Sequence, residues 1–133
     1  MAMRLPAALD AQLQRDAGLT FFEFMTLSLL SRSPQRTRRM NEVADALSSS
    51  LSRLSHVVSR LEQRGYVERS RCPGVGRATN VSLTDSGHAK VKAATPRHIE
   101  EVRTLLFDPL SDEQIDTLAE IGRDLRPGLD PRQ

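Results

Sequence analysis

Apolar residues along this chain recur at helical spacing, switch once to strict alternation, and then return to helical spacing. In residues 5–17, Leu5, Leu9 and Leu13 predict a short, weakly amphipathic helix with Pro6 in its first turn and Gly18 at its end. Thr20 caps residues 21–31, where Phe21, Phe22, Phe24, Met25, Leu27, Leu29 and Leu30 leave almost no polar side. Such a helix is expected to be central and buried, so its aromatic cluster reads as core packing and not as a ligand box. Pro34 stops it. Residues 40–47 follow as a short helix with Met40, Val43, Ala44 and Leu47 on one face and Asn41 or Thr37 as N-cap. Ser48, Ser49 and Ser50 have the composition of a linker, yet Leu51, Leu54, Val57, Val58 and Leu61 follow at spacings of three and four. The serines are therefore a tight turn and an N-cap, and Gly65 suits the position just past the helix end.

Beyond Gly65 the period becomes two. Residues 66–71 and 78–83 alternate around Cys72-Pro-Gly-Val-Gly76, which predicts a β-hairpin. Thr84-Asp-Ser caps another helix, with Val91, Ile99, Val102, Leu105 and Leu106 as its apolar positions. Pro96 is expected to kink or split that helix near Thr95, and Asp108-Pro109 to break it. Ser111-Asp-Glu-Gln114 is a capping box for a last helix striped by Ile115, Leu118, Ile121 and Leu125 and ended by Pro127 and Gly128.

At 133 residues, 38% apolar and 27% charged, the chain fits one soluble globular domain. No apolar run approaches the ~20 residues a membrane span needs, and no secretory signal pattern opens the chain. Its single cysteine, Cys72, excludes an internal disulfide and a multi-cysteine zinc cluster, so a reducing, cytoplasmic setting is the default. The net charge of +2 conceals an asymmetry. Residues 32–77 hold ten arginines against Glu42, Asp45, Glu62 and Glu68, a net +6, while the remainder is net −4. A basic middle between acidic ends points to a polyanion-binding face. His56, His88 and His98 lie in different elements without paired ligand spacing, so solvent or DNA contact is expected of them and no metal site. There is no HExxH or phosphate-binding loop, and Gly74-Val-Gly76 is too short for a dinucleotide fingerprint, so neither enzyme nor cofactor is expected.

Helix, tight turn, helix and hairpin is the order of a winged helix-turn-helix. Leu61-Glu-Gln-Arg-Gly-Tyr-Val-Glu-Arg69 and Val81-Ser-Leu-Thr-Asp-Ser-Gly87 resemble the stretches of MarR-type transcriptional regulators that close the recognition helix and leave the wing. The flanking helices keep the family's order, so the resemblance covers about residues 5–125. It implies a mainly α fold with a small β-hairpin wing, one domain over residues 1–133. Within it, residues 34–87 would form the DNA-binding lobe, and residues 1–20 and 88–126 the dimerisation helices. It implies a homodimer that binds double-stranded DNA at a pseudo-palindromic operator, without contact to a membrane. The stripes at residues 102–106 and 115–125 agree, since a small monomer can hardly cover them. A small-molecule effector between the dimerisation helices and the lobe is a further implication; an effector-free regulator is equally allowed.

Within the recognition helix, Ser50, Ser52, Arg53, Ser55, His56, Ser59 and Arg60 are the non-stripe positions that would face DNA. Small hydroxyls permit close approach, and Arg53 near the N-terminal end is placed to pair with guanine O6 and N7. His56 would donate to phosphate or base, and Arg60 would hold the backbone or brace the wing. Arg69 and Arg71 on the strand entering the wing join these candidates. Arg77 matches the family's wing arginine, which enters the minor groove. The family usually has aspartate two residues earlier, where this chain has Val75, and that leaves Arg77 less firmly anchored. Two alternatives remain. One is a winged-helix adaptor that makes protein contacts. The other is redox sensing through Cys72, whose thiolate Arg69, Arg71 and Arg77 would favour, although the family's peroxide sensors carry their cysteine in the first helix, where this chain has none.

Overall fold

The computed structural model describes residues 4–71 and 78–129, with side chains through Arg126. Helix α1 (Arg4–Ala17) ends at Gly18, whose φ of 66° is one that glycine adopts at no steric cost. Helix α2 (Phe21–Ser31) begins with a reciprocal cap. Thr20 Oγ1 accepts from the Glu23 N–H at 3.0 Å, and Glu23 Oε1 accepts from the Thr20 N–H at 2.8 Å. That pair of bonds lets the Glu23 carboxylate sit almost fully buried. As expected, Phe24, Leu27 and Leu30 are core; Phe21, Phe22, Met25 and Leu29 are half-buried and pack against it.

After a 3₁₀ turn at Pro34–Arg36 the chain forms a strand that the sequence pattern did not reveal, β1 (Thr37–Arg39). It pairs antiparallel with β3 (Thr79–Leu83), which also pairs with β2 (Val67–Arg71), so the order is β1-β3-β2. Thr-Arg-Arg has no apolar alternation; its strand state comes from a partner 45 residues away, with Thr37 Oγ1 2.8 Å from Ser82 Oγ. Thr37 is therefore not a helix cap, and neither is Asn41, whose side chain bonds the neighbouring Glu42 N–H. The N-cap of α3 (Met40–Ala46) is Arg39, without a side-chain capping bond.

The serine turn behaves as its spacing predicts. Ser48 takes a φ of 52°, and Ser50 Oγ caps α4 (Leu51–Gln63) by accepting from the Arg53 N–H at 3.1 Å. Leu54, Val57, Val58 and Leu61 are buried, but Leu51 is not part of that stripe in space: it is 53% exposed. It sits at the first turn, on the edge of the stripe, and faces a cleft in place of the core. Gly65 (φ 81°) turns the chain into β2. Thr84 then ties three elements together, accepting from the Gly87 N–H at 3.0 Å and donating to the Gly65 carbonyl at 2.6 Å. Gly87 is required there, because a Cβ would lie 2.1 Å from the Tyr66 carbonyl oxygen.

Helix α5 (Asp85–Val102) passes through Pro96 as one helix, so of the expected kink or split the split does not occur. Proline removes one donor, and the Thr95 hydroxyl bonds the Val91 carbonyl at 2.6 Å within the same turn. A π-helical turn at Arg103–Phe107 ends α5 instead. Ser111 and Gln114 form the expected capping box of α6 (Asp112–Leu129). That helix runs on past Pro127 and Gly128, which do not end it, since proline's fixed φ is itself helical. The hairpin turn at residues 72–77 lies outside the described residues.

Candidate nucleic-acid interface

At about 100° per residue, the buried stripe of α4 fixes what its other positions face. Ser52, His56, Ser59 and Gln63 lie opposite the stripe and form the outward ridge. Ser52, His56 and Gln63 are exposed and Ser59 is half-buried. Gln63 was missed in the sequence, although its spacing of four from Ser59 and seven from His56 places it there. Ser50 stands at the helix start with its oxygen engaged as cap.

The two flanks of α4 differ. On one, Arg53 and Arg60 face α1 and α2, lining with His56, Asp10, Phe21 and Phe22 a cleft of about 960 Å³. Arg53 stacks over the Phe22 ring, 4.5 Å from its centroid. That contact holds its guanidinium plane at the start of the helix instead of leaving it to swing free. Arg60 lines the same cleft, on the side of α4 that faces α1 and α2.

The other flank is held by Arg69. Its Nη2 donates to the Ser55 carbonyl at 2.6 Å and to Ser55 Oγ at 3.0 Å, and its Nη1 donates to Ser59 Oγ at 3.0 Å. Glu62 adds to this grip, accepting from the Arg69 backbone N–H at 3.0 Å and lying 3.8 Å from its side chain. Arg69, expected as a DNA contact, is half-buried along this flank of α4. Arg39, Asn41, Leu51, Ser55 and Arg69 line a second cleft, of about 430 Å³, between α3, α4 and the sheet. Arg39 and Asn41 entered the sequence reading only as charge or cap; their proximity to α4 depends on β1. Arg71 is exposed at the end of β2, while Cys72, Val75 and Arg77 lie outside the described residues.

His98 does not reach solvent or DNA as its sequence position implied. It is 8% exposed, with Nδ1 3.0 Å from Gln12 Oε1 and its ring 4.6 Å from that of Phe24. Burial lowers its pKa below the usual histidine range. The Gln12 side-chain N–H donates to Asp16 Oδ2 at 3.0 Å, and that bond, with Arg15 and Arg97 alongside, holds the Asp16 carboxyl below its ordinary pKa. Among the described residues no group of three or more histidine, cysteine or acidic side chains is arranged to hold a metal ion.

The MarR family model matches residues 17–78. Sco3205, a MarR family transcriptional regulator from Streptomyces coelicolor solved in complex with DNA, matches with a TM-score of 0.94 and 42% identity, covering 98% of this chain and 84% of that one. AbsC, a MarR family transcriptional regulator from the same organism, matches with a TM-score of 0.86 and 32% identity over 95% of this chain and 82% of that one. The HTH-type transcriptional regulator PecS of Dickeya dadantii is 34% identical over 74 residues, 56% of this chain. This chain spans only 44% of the length of PecS. The capped α3-turn-α4 pair, the three-stranded sheet beside it and a 42% identical relative matched along most of both chains lead to one assignment: this chain belongs to the MarR family of transcriptional regulators.

Proposed function

We propose that the chain is a sequence-specific DNA-binding regulator that works as a cytoplasmic homodimer and has no catalytic activity. The observation that carries this reading is the outward ridge of α4, where Ser52, His56, Ser59 and Gln63 present only polar groups beside the exposed arginines 53 and 60. Such a face suits the major groove, with hydroxyl, imidazole and amide groups for base edges and guanidinium groups for phosphates or guanine. The relative crystallised with DNA supports the same reading. Ser50, Ser55 and Arg71 border the ridge, and Arg77 belongs to the hairpin that would reach the neighbouring minor groove. In this reading residues 34–87 are the DNA-binding lobe, and residues 1–20 and 88–126 carry the dimer. The larger cleft is where an effector would act, because Arg53, His56 and Arg60 line it and also belong to the DNA face. Among the described residues no helix is long and apolar enough to cross a membrane.

Selection of bound duplexes from a random pool tests the proposal. The expected product is an imperfect palindrome with half-site centres about 10–10.5 bp apart, or a multiple of that spacing, bound in a salt-dependent manner. Against that site Arg53→Ala should cost about 1–3 kcal/mol and relax one base position per half-site. Equal losses on selected and random DNA would reduce Arg53 to a phosphate contact. Absence of any salt-dependent duplex binding would favour an adaptor that uses the same fold for protein contacts.

A further inference from the structure

We infer that Arg69 is a positioning residue for DNA recognition: it locks the strand that leads into the wing onto α4, and makes no DNA contact of its own. The inference rests on the DNA-binding reading above. Its basis is the pattern of partners. Ser55, Ser59 and Glu62 follow one another at spacings of four and three, so they form one row along nearly two turns of α4. A single guanidinium reaches the Ser55 carbonyl, both serine hydroxyls and the Glu62 carboxylate, while the same residue's backbone N–H bonds Glu62. The Arg69 side chain is 28% exposed, against 62% and 61% for Arg15 and Arg97 elsewhere on the surface.

On its other side Arg69 is built into the sheet. It stands opposite Val81 in the β2–β3 ladder, and Val81 is fully buried. The strand is thereby fixed to the core through its backbone and to α4 through its side chain. Helix and wing base move as one body, and the distance between what each presents to DNA is set before binding. A pre-set distance matters most on a specific site, where base contacts need their geometry held within about 0.5 Å. Random DNA, gripped through phosphates alone, is more tolerant. The clamp has a second effect, on the two serines it holds. Because Ser55 and Ser59 accept from a cationic donor, their own O–H groups are left to donate, which selects acceptor atoms such as phosphate oxygen or guanine O6 and N7 as partners.

Lysine keeps the charge at this position but has no planar fork and cannot span the row. The test measures wild type, Arg69→Lys, Arg69→Gln and Glu62→Gln against the selected operator and a random duplex of equal length, each at several salt concentrations. Thermal unfolding is recorded for all four. Arg69→Lys should lower operator affinity roughly tenfold, about the loss of one base contact, with the salt slope on random DNA unchanged. Glu62→Gln gives a test of sign that does not depend on Arg69 variants folding. It removes a negative charge beside the DNA face, so simple electrostatics predicts tighter binding to both duplexes. Glutamine keeps an oxygen for the Arg69 N–H but loses the charge facing the guanidinium, so weakening of the clamp predicts a lower ratio of operator to random affinity. If Arg69→Lys preserves both affinities while Arg69→Gln weakens both and reduces the salt slope by about 0.9, Arg69 is a phosphate contact and the inference is overturned. A wild type that binds, with the ratio preserved in both Arg69→Lys and Glu62→Gln, overturns the inference alone. A wild type with no duplex affinity overturns the DNA-binding reading and this inference with it.

Discussion

In α4 the stripe Leu54, Val57, Val58 and Leu61 is at most 3% exposed, whereas in α6 Leu118, Ile121 and Leu125, at similar spacing, are 39%, 49% and 56% exposed. The first stripe is covered from within the chain, in the same core as Phe24 and Leu27 of α2, Val43 of α3 and Val81 of β3. Leu118 and Ile121 of the second line an apolar trough of about 520 Å³ with Leu105, Leu106, Pro109 and Leu110, which follow α5. Ile99 and Phe107 are further exposed apolar residues of α5 and the turn after it. An amphipathic pattern thus states that a helix face needs cover and leaves open what provides it. For α4 the cover is the protein's own lobe. For α6 the proposed second copy of the chain supplies it, as two-fold symmetric pairing of a self-complementary face allows.

The strongest way to break this comparison is a charge in the α6 stripe. Ile121→Asp would place an unpaired carboxylate in the proposed interface, and the dimer should dissociate. Sedimentation should then give the monomer mass, while operator affinity falls about 10²-fold or more through loss of the second half-site. Cooperative thermal unfolding of the lobe should survive, because its core lies within one chain. An Ile121→Asp protein that remains dimeric would mean that the stripe is not the interface.

A gentler pair of substitutions sharpens it. Leu61→Ala should cost about 2–5 kcal/mol in urea unfolding, as for other fully buried leucines. Measured in the Ile121→Asp monomer, Leu118→Ala should change stability by no more than about 0.5 kcal/mol. Comparable costs at both positions would show that α6 is covered by its own chain after all.

The smallest expected effect comes from His98, which joins α1 to α5 between the two regions. Burial lowers its pKa from the ordinary 6.5, so the unfolded chain takes up this proton at higher pH than the folded one. The resulting stability is fully present above about pH 6.5 and is lost as pH falls through the depressed folded value. Thermal midpoints between pH 7.5 and 5.5 should decline in wild type and flatten in His98→Gln. A decline that persists unchanged in the variant would assign it to another group.

Much of this molecule was legible because the deciding contacts are local. The caps at Thr20, Ser50, Thr84 and Ser111 each bond a backbone group three residues on, so residue type and spacing declare them. Gly18 and Gly65 mark turns by conformational freedom alone. The stripe of α4 and the alternation of β2 and β3 carry the periods of their elements, and the outward ridge follows by subtraction, Gln63 included. What escaped depends on partners distant in sequence. Thr37–Arg39 became a strand because β3 offers a free edge. Arg69 has the same sequence signal as an arginine exposed to phosphate, and His98 the same signal as one in solvent. Their fates were decided by Ser55, Ser59 and Glu62 in one case and by Gln12, 86 residues away, in the other. A side chain with many donors, or a ring both polar and apolar, has several low-energy surroundings. The sequence determines that such a group must be satisfied, and only the packed structure determines by what.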